Sequence, residues 1–378
     1  MTDTKAITYS VPLRVRKSIY PFKGNANNSW AVTWKNTIIV GDYKDSSVIH
    51  YHHHSGEWIR QEIRGDIPRR GEFYIAQVLK DKIILIQAGF DNTMYSLTPE
   101  TWICRRLRPR GTPKVAFSGK AFWIYSGKMY FFGGVDTHHQ VLNRLWCYNP
   151  ATNVWKVKAQ SGDIPSPRYA NCATIDNEGT VFLFGGKEVY GTEYMDEEMV
   201  EEMDDRVNDL FMFDMGTFQW KKIHGSSAWS NGGRVMPLRN GYPLFFTIIS
   251  HSTAFFASHR DADLPFECWH LDLNLAKQVE APSRIWTQIP NDFQQSPVSC
   301  LPVREPLSGS LWLIGLYDGL VRPCLYTPDI LKISPHKLSL KELALDYIVR
   351  NMRTDRLLTD PQIPMELKND IKLHKLRI

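Results

Sequence analysis

Apolar residues along this chain gather in short blocks that end at glycine, proline or asparagine. Val181-Phe182-Leu183-Phe184 runs into Gly185-Gly186, and Leu210-Phe211-Met212-Phe213-Asp214 is followed by Phe218-Gln219-Trp220. Blocks of this length, rich in aromatic and β-branched residues and bounded by turn formers, predict strands. The arrangement recurs. Ile164-Pro165-Ser166-Pro167-Arg168-Tyr169 opens this unit, and the preceding unit has Thr112-Pro113-Lys114, then Met129-Tyr130-Phe131-Phe132-Gly133-Gly134, Leu145 to Pro150 and Val154-Trp155.

Looser copies flank these two. One contains Ile67-Pro68-Arg69-Arg70, Ile83 to Gly89, and Trp102. The first contains Ile38-Ile39-Val40-Gly41, Val48 to His52, and Trp58. A fifth contains Gly233-Arg234, Leu244 to Ile249, Cys268 to Asp272, and Trp286. A sixth contains Ser310 to Gly315 and Asp329 to Ile333. The tryptophans at 58, 102, 155, 220 and 286 close successive units. A unit near 50 residues with four strands per blade predicts a propeller, with the longer units carrying loop insertions. One such sheet cannot bury both of its apolar faces, whereas sheets stacked around an axis cover one another. The glycine pair ends a strand where backbones crowd, and the tryptophan packs between blades.

This pattern resembles the kelch superfamily over about Ser29 to Ser334. The resemblance implies an all-β fold, a six-bladed kelch β-propeller over residues 1–334. The sixth unit lacks a closing tryptophan strand. Ile7-Thr8-Tyr9-Ser10-Val11 alternates with period two and is expected to supply it; the alternative is a disordered N-terminal arm.

From Ser339 the period changes. Leu340, Leu343, Ala344, Tyr347 and Ile348 form one apolar helical stripe, and Ser339 with Glu342 reads as a capping box. Thr359-Asp360-Pro361 then leads to a second short helical pattern, Ile363 to Ile371. The expected C-terminal helical tail, residues 335–378, has two readings. One is a cap packed on the propeller. The other follows from Leu340, Ala344 and Ile348, which resemble the BC-box that docks Elongin B/C, with Ala344 in place of the usual Cys. Ile363, Pro364, Leu367 and Ile371 look like the cullin-2 type of cullin box. The whole order is similar to kelch-domain substrate receptors of cullin-2 ubiquitin ligases that recognise C-terminal degrons.

The chain has 378 residues and a net charge of +5, but Glu193 to Asp205 holds eight acids and no base. The rest is correspondingly more basic, which favours anionic partners. That acidic insertion, about 187–207, carries Met195, Met199 and Met203 at spacing four, and reads either as a mobile loop or as a lid or partner site. No apolar run approaches membrane-span length and no signal peptide is read at the N-terminus. The six cysteines are scattered and read as buried thiols in a cytoplasmic or nuclear protein.

Arginines near the start of each unit are expected at the propeller mouth. A guanidinium pairs a carboxylate bidentately, which suits an acidic segment or a free C-terminus. Arg168 fits that position well; Arg69 or Arg70, Lys114 and Arg234 fit more loosely. In the degron-receptor resemblance two further cations flank the insertion, here Lys187 and Arg206. Lys187 replaces an Arg, and Arg234 is followed by Val235-Met236 where that group has Ser-Trp. The expected substrate-binding set is therefore Arg206, Lys187, Arg168 and Arg234. The alternative for each is a solvated rim residue.

His52-His53-His54 and His138-His139 lack a partner at metal-site spacing, and no phosphate loop or nucleophile elbow occurs. The sequence therefore predicts a non-catalytic binding subunit without cofactor, metal, nucleic acid or membrane as partner. Its expected partners are Elongin B/C, cullin-2 and a protein tail. A generic kelch interaction scaffold is the alternative, and an enzyme using the channel mouth is a third.

Overall fold

The computed structural model describes residues 29–42, 47–52, 57–68, 74–117, 121–188, 207–223, 242–250, 252–259, 267–278, 285–289, 299–304, 311–316, 330–333 and 368. These residues form an all-β propeller. Each blade is an antiparallel meander whose first strand lies innermost.

Blade 1 comprises Ser29–Trp34, Thr37–Asp42, Ser47–His52 and Glu57–Glu62. Blade 2 comprises Tyr74–Leu79, Lys82–Gln87, Met94–Thr98 and Ile103–Leu107. Blade 3 comprises Phe122–Tyr125, Lys128–Phe132, Leu145–Asn149 and Val154–Lys158. Blade 4 comprises Cys172–Ile175, Thr180–Phe184, Leu210–Asp214 and Gln219–Ile223. Blade 5 comprises Tyr242–Ser250, Thr253–His259, Glu267–Asp272 and Trp286–Ile289. A final sheet has three strands, Ser299–Arg304, Leu311–Leu316 and Ile330–Ile333, and its first strand lies against the first strands of blades 5 and 1.

The expected ring of six complete blades is corrected accordingly. Among the described residues five sheets have four strands or more, and the last has three. The strand expected at Ile7 to Val11 lies outside the described residues. So does the expected helical tail, apart from Lys368, which is helical. The one described helix of a full turn is Leu273–Ala276 in blade 5, where the Asp272 side chain accepts from the Leu275 N–H.

Aromatic side chains fill the seams between blades, as the stacking argument requires. Trp155 of blade 3 donates its indole N–H to Met94 Sδ of blade 2 at 3.2 Å. Trp220 of blade 4 lies 4.9 Å, ring to ring, from Phe132 of blade 3, and Trp286 of blade 5 lies 5.1 Å from Phe184 of blade 4. Burying such rings makes each seam a large apolar contribution. Trp102 departs from the expected pattern. It sits in the turn before the outer strand at φ +56°, half-buried, its ring 5.0 Å from His50. Cys104 takes the strand position that tryptophan holds elsewhere: it pairs with Leu97 as Trp155 pairs with Tyr148 and Trp220 with Phe213.

A second repeated device was not foreseen. The chain leaving one blade pairs in parallel with the outer strand of the next: Arg64–Gly65 with Ile103 and Cys104, Ser161–Gly162 with Gln219 and Trp220, and Arg110 with Val154. Asp66 then accepts the Arg106 N–H at 2.8 Å, and Asp163 the Lys222 N–H at 3.1 Å. These linkers occupy backbone groups that an exposed outer edge would otherwise present for pairing.

Candidate functional site

In a four-stranded meander the loop between the second and third strands and the linker to the next blade emerge at one end. That end, the linker face, carries the expected ligand-binding residues that the structure describes.

Arg168 lies in the linker between blades 3 and 4. Its N–H donates to Leu142 O at 3.0 Å, and its carbonyl accepts the Gly134 N–H at 3.0 Å. Gly134 is the second member of the blade 3 glycine pair. A Cβ at its neighbour Gly133 would stand 2.2 Å from Arg168 O, so glycine there lets the linker pass. The Arg168 side chain points inward. It is fully buried and donates to Asp209 Oδ1 at 2.6 Å, to Gly185 O and Ser166 O at 3.1 Å each, and to Ser166 Oγ at 2.7 Å. Its cationic carbon lies 5.2 Å from the Phe211 ring centroid. The expectation that this guanidinium faces a ligand is corrected: internal acceptors take it, and it ties the blade 3–4 linker to both ends of the blade 4 loop.

Those two ends form a closed stem. Tyr169 and Lys187 exchange backbone hydrogen bonds at 2.9 and 2.8 Å, the Val207 N–H donates to Gly186 O at 3.0 Å, and the Gly185 N–H donates to Asp209 O at 3.2 Å. Ser166 Oγ also bonds the Glu188 carboxylate. Lys187 is 5% exposed. Arg206, the residue before Val207, and Arg234 lie outside the described residues, as do Leu340, Ala344, Ile348, Ile363, Pro364, Leu367 and Ile371. The structure thus brings Arg168, Lys187 and the base of the acidic insertion together.

Two residues of the linker face escaped the sequence reading. Asp209 reads as one more acid after the insertion, yet it is the counterion of Arg168 and has Lys222 Nζ at 3.6 Å. Asn92, in the blade 2 loop, is buried at φ +44° and donates from its amide to Pro113 O and Val115 O at 2.7 Å each, fastening the loop to the following linker. Its signal was its place, soon after Gly89 and before a strand. Exposed cations on this face include Lys114 and Arg144. His138 and Gln140 donate backbone N–H groups to Asp136, and with them the Asp136 carboxyl titrates below its ordinary range. No cluster of three His, Cys, Asp or Glu suited to a metal ion occurs among the described residues.

A propeller whose seams are filled by tryptophan and whose glycine pairs admit the linkers is a kelch-repeat domain. The chain belongs to the family described as the KLHDC2/KLHL20/DRC7 Kelch-repeats domain, which matches residues 28–236. It is similar to Host cell factor 2 of Homo sapiens, 25% identical over 199 residues that cover 46% of this chain and 23% of that protein. It is similar also to Kelch domain-containing protein 2 of Bos taurus, 24% identical over 205 residues, 46% of each. The chain therefore spans less than half the length of these relatives. Among solved structures it resembles that of YjhT, with a TM-score of 0.56 and 12% identity over 83% of this chain and 95% of that one, a likeness of fold alone. No helix among the described residues is long and apolar enough to cross a membrane.

Proposed function

We propose that this chain is the substrate-recognition subunit of a cullin–RING ubiquitin ligase, a binding protein with no catalysis of its own. The linker face captures a protein tail by its free C-terminal carboxylate or an acidic segment. Residues 335–378 dock Elongin B/C through Leu340, Ala344 and Ile348, and cullin-2 through Ile363, Pro364, Leu367 and Ile371. Ubiquitin transfer belongs to the partners, and this chain supplies proximity. The same reading takes residues 1–334 as the propeller, with the N-terminal strand completing its last sheet, in a cytoplasmic or nuclear protein.

The observation that carries the binding site is the closed stem. The hydrogen bond from the Val207 N–H to Gly186 O joins the neighbours of Arg206 and Lys187, the two cations that flank the insertion. Arg168 serves this site by position, since it holds the stem through Asp209, and Arg234 follows from the next linker. A generic kelch interaction scaffold is favoured by a different observation: the family match ends at residue 236, well before the tail.

Two assays decide between them. Purified Elongin B/C is offered to the intact chain and to Leu340→Ala/Ile348→Ala; capture lost in the double variant is expected, and no capture by the folded intact chain leaves the scaffold. A peptide panel with free and amidated C-termini is then bound to the intact chain and to Arg206→Ala. Preference for the free carboxylate, weakened in the variant, is the expected result, and indifference to amidation overturns the carboxylate site.

A further inference from the structure

We propose that the outer edge of blades 2 and 3 is a docking surface for an anionic lipid bilayer, independent of the linker-face site. The chain has no Asp or Glu between Glu100 and Asp136, and this stretch contains Arg105, Arg106, Arg108 and Arg110. The fold puts these four on the fourth strand of blade 2, whose outer edge is partly covered by Arg64–Gly65, and on the linker that leaves it. All four are exposed, and none has an ion pair among the described residues.

Their backbone is held in place. The Arg106 N–H is bound by Asp66 at 2.8 Å, Arg108 O accepts from Asn153 Nδ2 at 3.1 Å, and Arg110 exchanges bonds with Asn153 O at 3.0 Å and the Trp155 N–H at 2.9 Å. Four fixed positive charges attract an anionic headgroup layer, each arginine adding to the affinity. The acids that border the patch are Glu62, Asp66 and Glu100: Asp66 sits beside the strand and accepts the Arg106 N–H, and Glu100 is paired with Lys35 at 2.8 Å.

Exposed aliphatic side chains select the bilayer over other polyanions. Ile103 on the same strand is 37% exposed, and Val157 on the outer strand of blade 3 is 49% exposed. Singly such residues are ordinary on a protein surface. Set among unpaired arginines, they make the mixed cationic and apolar surface that sits in a headgroup layer. Single-stranded nucleic acid would call for an exposed aromatic platform instead. The neighbouring aromatic, Trp102, is half-buried and packs on His50.

The test is co-sedimentation of the full chain with phosphatidylcholine vesicles, with and without phosphatidylserine, and in competition with a single-stranded oligonucleotide. Binding should require phosphatidylserine and weaken as salt is raised. Arg105→Gln/Arg108→Gln should lower partitioning roughly 25-fold, about fivefold for each charge, whereas Arg105→Lys/Arg108→Lys should retain it. Circular dichroism establishes that each variant is folded. Equal binding to neutral vesicles, no binding by the folded chain, or displacement by the oligonucleotide at equal charge concentration would overturn the proposal.

Discussion

Arg168 and Asp209, 41 positions apart, meet at 2.6 Å across the stem of the blade 4 loop, with the guanidinium fully buried and the carboxylate one-fifth exposed. A buried charge that keeps its partner is tolerated, but one that loses it is left desolvated. Asp209→Asn should therefore lower unfolding free energy by about 2–3 kcal/mol, read by urea denaturation. Arg168→Lys should fall as well, because an ammonium cannot reach Asp209, Gly185 O and Ser166 O as a planar fork does. A change within experimental error for both variants would show that the pair is dispensable.

Glycine at the linker crossings is required by space as well as by φ. A Cβ at Gly162, φ +78°, would stand 2.2 Å from Trp220 O, whereas at Gly89, φ +145°, it meets nothing within 4 Å. Both alanine variants carry backbone strain of about 1 kcal/mol, but only Gly162→Ala must also displace a strand. The expected order of denaturation midpoints is wild type, then Gly89→Ala, then Gly162→Ala well below. Equal midpoints for the two variants would mean that the linker adjusts freely.

Strands in the middle of the chain were readable because their residues have one job. Met129 to Phe132 and Val181 to Phe184 are apolar, bounded by glycine pairs, and lie in the strands Lys128–Phe132 and Thr180–Phe184. Trp102 misled because spacing alone cannot tell a turn position from the strand position two residues on, where Cys104 stands. Arg168 stands on the linker, but the direction of its side chain was hidden, since nothing local distinguishes an arginine aimed at a ligand from one aimed at Asp209. Gly65-Asp66-Ile67-Pro68 and Gly162-Asp163-Ile164-Pro165 repeat in plain sight. Only the structure shows why glycine and aspartate are needed, because their partners are backbone groups of the next blade.

Asn92 offers two N–H donors to two buried carbonyls, at Pro113 and Val115. Asn92→Asp would set an acceptor against acceptors and make the carboxyl hold its proton to stay there. The variant should lose about 2 kcal/mol or more at neutral pH and recover part of it as pH falls toward the ordinary Asp value near 4, with no further recovery below that value. Wild-type stability should lack that acid recovery. A variant whose deficit does not change between pH 7 and pH 4 would indicate that Asn92 acts through its backbone conformation alone. The contrast is best read as the difference between the two urea profiles at each pH.

Cys104 gives the chain an alkaline liability. Burial, with Asp66 nearby adding to it, pushes its thiol from 9.0 up to about 12. Between those values the unfolded chain has released the Cys104 proton and the folded chain has kept it. Folding then takes up a proton, so stability falls as pH rises through this window. The loss is of the order of 1 kcal/mol per pH unit. Other buried groups, Tyr148 and Cys147 among them, are raised by burial too, so the wild-type slope alone is not diagnostic. Cys104→Ala removes only this contribution, at a packing cost that does not depend on pH. Subtracting the variant's urea-unfolding profile from that of wild type should leave a flat difference below pH 9 and a decline above it. A difference flat throughout would show that the Cys104 thiol ionises alike in both states and that the blade 1–2 linker does not seal it from water.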